Sequence, residues 1–117
     1  MAARIAIGIV ALLHLWFLVL EMFLWDSGFG RKTFGLTLER AEATRALAAN
    51  QGLYNGFLAA GLVWAIALGA AGRGVSIFFL VCVIVAGVFG AFTASRKILL
   101  IQAVPAAVAL ALVLTAP

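Results

Sequence analysis

The chain has 117 residues, 67% of them hydrophobic and only 10% charged, with a mean hydropathy of +1.24 and a formal charge of +4 at a pI near 10.3. A soluble domain carries about 25% charged residues, so these values argue against a water-soluble fold. They also argue against nucleic acid as a partner, because the basic residues form no patch interleaved with aromatics.

Four apolar runs occupy most of the chain, at 5–25, 52–71, 75–93 and 98–116. Each approaches the ~20 residues that cross a bilayer as a helix. The expected fold is all-α, a single four-helix transmembrane bundle. Barrel strands alternate polar and apolar residues, and these runs do not.

The first run, Ile5 to Trp25, exceeds the ~7–15 residues of a signal-peptide core and lacks a small-residue cleavage site after Trp25. It is read as a retained helix. His14 and Glu21 lie seven residues apart, almost on one helical line, with Leu18 between them and Trp25 one turn beyond. Glu21 is the one acid inside any run. An ionisable residue within a membrane is by default a candidate functional group; the alternative is a structural acid. Trp25 suits an interfacial anchor, and His14 suits a hydrogen bond to a neighbouring helix.

Asp26 to Thr33 carries the glycines and charges of a loop. Thr37 then caps a segment of good helix formers with Glu39 in its first turn. No proline or glycine interrupts it before Gly52, so a helix continuous into the second run is expected. That helix carries the most polar stretch of the apolar part, Asn50-Gln51-Gly52-Leu53-Tyr54-Asn55-Gly56. Asn50, Gln51, Tyr54 and Asn55 fall within an arc of about 140°. Gly52, Gly56 and Ala60 form a small-residue stripe suited to close helix approach.

A short turn at 71–74 leads to the third run, whose Phe78, Phe79, Gly87, Phe89, Gly90 and Phe92 read as packing residues. Cys82 is the sole cysteine, which excludes an intrachain disulfide. The fourth run holds Gln102 and Pro105; the proline removes a backbone bond and is expected to kink the helix.

Arg31, Lys32, Arg40, Arg45, Arg96 and Lys97 fall on one side of such a topology and Arg4 and Arg73 on the other. Six against two places loops one and three in the cytoplasm and both termini outside it. The expected location is the bacterial inner (cell) membrane, as a multi-pass protein.

Antiparallel pairing of the first two helices brings Glu21 near Tyr54 and Asn55, with Asn50, Gln51 and Trp25 towards the cytoplasmic side and His14 deeper. Glu21, His14 and Tyr54 are the candidate acid–base residues. Trp25, Asn50, Gln51, Asn55 and Gln102 are the candidate ligand contacts. The chain has no HExxH, no phosphate-binding glycine loop and no CxxC, and one histidine is too few for a usual zinc site. No metal is expected, a haem on one His stays open, and no cofactor is legible.

His14, Glu21-Met22-Phe23-Leu24-Trp25, the Ala49-to-Leu62 stretch with its Asn50-Gln51-Gly52-Leu53-Tyr54-Asn55-Gly56 centre, Val85-Ala86-Gly87, and Gln102 before Pro105 together resemble the DUF1304 family of small integral membrane proteins. The resemblance covers almost the whole chain. It implies a compact four-helix membrane protein and no particular reaction.

Three functional readings follow. The first is binding of a hydrophobic or amphiphilic small molecule between helices one and two, with isomerase-type acid–base chemistry as its enzymatic form. The second is a small transporter or proton-coupled carrier, assembled from several copies. The third is a structural membrane protein whose polar cluster only fixes packing. Membrane lipid is an expected partner in each, and homo-oligomerisation stays open.

Overall fold

A computed structural model describes residues 1–117. The chain is all-helical. Helix α1 spans Ala2–Met22, α2 spans Gly28–Phe34 and α3 spans Leu38–Ala67. A 3-10 turn at Gly69–Gly72 leads into α4, Arg73–Thr93. The last segment starts as the short α5, Arg96–Ile98, passes through a π turn at Leu99–Ala103 and ends in α6, Val104–Thr115.

Three helical stretches are long and apolar enough to cross a membrane: Ala2–Met22, Gly69–Thr93 and Arg96–Thr115. At 1.5 Å per residue, 21 residues reach about 31 Å, the thickness of a hydrocarbon core. Helix α3, with 30 residues, is long enough as well. Asn50, Gln51, Tyr54 and Asn55 depress the hydropathy of its inner half, and Glu39, Arg40, Glu42 and Arg45 charge its first turns.

The chain divides into two compact units, one of residues 1–13 and 58–117 and one of residues 14–57. In the larger unit, four helical segments share one core. Ile7, Val10 and Ala11 come from α1, Leu62 from α3, Leu80 and Val83 from α4, and Ala106, Ala109 and Val113 from α6. The buried residues of α4, Ser76, Leu80, Val83 and Gly87, recur at the three- and four-residue spacing of one helical face. Those of the last segment, Ala103, Ala106, Ala109 and Val113, do the same and are mostly alanine. Small side chains let backbones approach where lipid supplies no hydrophobic drive for association. Ser76 keeps its hydroxyl satisfied by donating to Gly72 O at 3.1 Å.

The π turn has a local cause. Pro105 has no N–H to give Ile101 O, and its ring clashes with that carbonyl in a regular helix. The chain widens just before the proline, and Val104 N–H bonds Leu99 O, five residues back. The distortion expected at Pro105 takes this form, and Gln102 sits within it, half-buried.

The smaller unit contains a helix where a loop was expected. Ser27 accepts from Gly30 N at 3.0 Å and donates to Leu24 O at 2.6 Å, starting α2. Gly35 ends it with φ +66°, a left-handed conformation that glycine adopts at little cost. Gly30 packs onto the Leu24 carbonyl so closely that no side chain fits there. Thr37 Oγ1 accepts from Arg40 N at 3.1 Å, and α3 then runs unbroken through Gly52.

Candidate functional site

The site lies wholly within the smaller unit. Two glycines of α3 bring it against α1. A Cβ at Gly52 would stand 2.7 Å from Met22 Cγ, 3.1 Å from Glu21 Cβ and 3.3 Å from Leu18 O. One at Gly56 would stand 2.7 Å from Leu18 Cδ1. At that approach the short Asn55 arm crosses the gap, and Nδ2 donates to Glu21 Oε1 at 2.6 Å. Glu21 is 6% exposed and Asn55 7%. Ala60, the third member of the small-residue stripe, is exposed. The close face is instead Gly52, Asn55, Gly56, so the packing and polar faces overlap at Asn55.

The pair is half-satisfied. Oε1 takes the amide, but Oε2 accepts no hydrogen bond from the protein. It is not sealed in either: the one enclosed side-chain polar atom without a partner is Arg31 Nε on α2. A carboxylate offers about four lone-pair sites, so Glu21 retains acceptor capacity that reaches the surface.

The other candidate residues are dispersed. His14 is fully buried, two turns up α1, with its ring edge-on to Phe17 at 5.4 Å between centroids. Tyr54 follows Gly52 on a different face of α3, is 58% exposed and meets Phe57 edge-on at 5.7 Å; no hydrogen bond joins it to Glu21. Asn50 and Gln51 are exposed on the same helix. Trp25 donates from Nε1 to Thr44 Oγ1 at 3.0 Å and stacks at a tilt on Phe34, 4.7 Å between centroids. Gln102 belongs to the larger unit.

Trp25 is therefore part of a clamp that closes the unit at its polar end. Thr44 accepts from the indole and donates its own hydroxyl hydrogen bond to Arg40 O at 2.7 Å. Asp26 pairs with Arg45 at 3.2 Å. Phe29 reaches back to Trp16, 6.1 Å between centroids, holding α2 alongside α1. Sequence reasoning missed Phe29 and Phe34, because α2 itself was missed, and Thr44, whose place on α3 carries no mark that it receives Trp25. The available signal was a capping serine at 27 and a glycine at 35, bracketing seven residues.

Residues 8–114 match the family described as "Protein of unknown function (DUF1304)". A protein of Lactococcus lactis subsp. lactis (strain IL1403), described as "Uncharacterized protein YpaA", is 32% identical over 96 residues, covering 80% of this chain and 81% of its own length. No solved structure matches the chain.

Proposed function

The chain belongs to the DUF1304 family, and on that premise we propose that it is a four-helix membrane protein binding an amphiphilic small molecule beside the Glu21–Asn55 pair. The observation that carries this reading is the half-satisfied carboxylate. Burying a carboxylate is costly unless it is fully partnered, yet here one oxygen is left for a donor from outside.

The depth of the pair selects the class of ligand. Glu21 lies in the last turn of α1, which has the length of a hydrocarbon core. The pair thus stands where headgroups meet acyl chains. A polar head there reaches Glu21 Oε2 and the exposed amides of Asn50 and Gln51. An apolar body lies along the exposed Phe23, two residues from Glu21 on the chain.

Catalysis is less well supported. Acid–base partners act within about 3 Å of the proton they move. Seven residues on one helix separate His14 from Glu21 by about 10 Å along the axis. A carrier requires a polar path through the protein, and the core around Val10, Leu62, Leu80 and Val83 is apolar. Both points favour binding.

The fourth crossing is assigned to the inner half of α3. The arrangement of the larger unit supports it: Arg73 donates to Leu114 O and Ala116 O at 3.1 and 3.2 Å, and it lines one cleft together with Arg4. The two ends of the chain thus share one end of the unit, as an even number of crossings requires. The six-to-two charge bias supports the reading that both termini lie outside the cytoplasm of a bacterial cell membrane. A reporter active only in the cytoplasm, fused after Pro117, is expected to be silent; a signal there reverses the orientation.

The ligand reading is tested by mass spectrometry of molecules that co-purify with wild type and with Glu21→Gln. Glutamine keeps the size and most of the hydrogen bonding but removes the titratable group. An amphiphile enriched on wild type and absent from a variant of unchanged thermal midpoint is the expected result. Equal retention by both makes Glu21 a packing residue.

A further inference from the structure

The larger unit contains no acidic side chain: its charged side chains are Arg4, Arg73, Arg96 and Lys97, and all four acids of the chain, Glu21, Asp26, Glu39 and Glu42, lie in the smaller unit. Two of those cations share a cleft of about 180 Å³. Arg4 and Arg73 border it together with the apolar Ile7, Ile66 and Val113. Arg73 has two donors committed to Leu114 O and Ala116 O, which leaves part of its five-donor fork unused. Arg4 makes no hydrogen bond or ion pair. Pro117 also borders the cleft, and neither arginine makes an ion pair.

Two guanidinium groups beside an apolar hollow, without a protein counter-ion, are complementary to an anion that carries a hydrocarbon chain. We propose that this cleft binds an anionic phospholipid, its phosphate on Arg4 and Arg73 and the start of one acyl chain against Ile7, Ile66 and Val113. Arginine is suited to the phosphate because its planar fork donates two parallel bonds to two oxygens. The depth agrees. Arg4 is in the first turn of α1 and Arg73 opens α4, so both stand at the end of a membrane-length helix, at headgroup level. The site is independent of the Glu21 pair, which lies in the other unit.

The test uses the full chain in nanodiscs of equal phosphatidylglycerol and phosphatidylcholine, followed by detergent release and native mass spectrometry of the lipids that stay bound. Wild type is expected to retain phosphatidylglycerol preferentially. Arg4→Gln is the primary variant, since Arg4 holds nothing else in the protein; it is expected to lower that preference about fivefold. Arg73→Gln should act in the same direction, and Arg96→Gln, away from the cleft, should leave the preference unchanged. A preference that persists in Arg4→Gln overturns the proposal. Inorganic phosphate separates the two sources of the anion: at millimolar concentration it should not displace the lipid. Displacement would assign the cleft to free phosphate and overturn the lipid occupant.

Discussion

Gly87→Leu is expected to lower the thermal midpoint more than any other glycine substitution within the apolar helices of the larger unit that leaves the turns intact. A Cβ at this position would stand 2.8 Å from Ala103 Cβ, 2.9 Å from its N and 3.1 Å from its Cα. Two of those atoms are backbone, so no side-chain rotation relieves the clash. The whole of α4 must move away from the π turn, and that turn is already widened to accommodate Pro105. Overpacking of this kind costs about 1–3 kcal/mol, and more where backbone must shift. Gly8 supplies the control. It is also helical, but nothing stands within 4 Å of a Cβ there. Gly8→Ala should be neutral or stabilising by up to ~1 kcal/mol, because alanine is the better helix former. Thermal unfolding of both variants in one detergent checks the pair. An unchanged midpoint for Gly87→Leu would show that α4 and the last segment are not in the close contact described.

The contrast also shows what was legible in the sequence. Gly87 reads as a packing residue from composition alone, but its partner does not, since a glycine in an apolar run carries no mark of what it faces. Pro105 announces a distortion; that it becomes a π turn depends on neighbouring helices supplying contacts for the widened backbone. The unbroken α3 is legible because Thr37 caps it and no breaker intervenes before Gly52. Helix α2 is not, because its two glycines and its short length outweigh in a local reading the serine cap and the terminal glycine that define it. At the site, helical spacing places Glu21 at the depth of Asn55. It cannot decide which of two successive residues, Tyr54 or Asn55, turns inward, since they stand only about 100° apart. The answer rests on Gly52, whose missing side chain sets the angle at which α3 meets α1.

The Glu21–Asn55 pair should show strong energetic coupling when the two positions are changed singly and together. Asn55→Leu removes the only donor to Glu21 Oε1 and leaves a buried carboxylate without protein partners. Leaving a buried polar group unsatisfied costs about 1–3 kcal/mol. Glu21→Leu leaves an unpaired amide, which is also costly. Replacing both with leucine removes the stranded polar groups, and the double variant should lose less than the sum of the singles. Cycles within membrane helices give couplings averaging ~0.6 and reaching ~1.7 kcal/mol; the short 2.6 Å bond and its burial place this pair towards the upper value. The same variants separate packing from binding. A double-leucine protein that is as stable as wild type but no longer retains the amphiphile means that the polar pair is kept for the ligand and not for the fold. A double variant as unstable as the sum of the singles means that the two residues act independently, and the site built on their contact has to be abandoned.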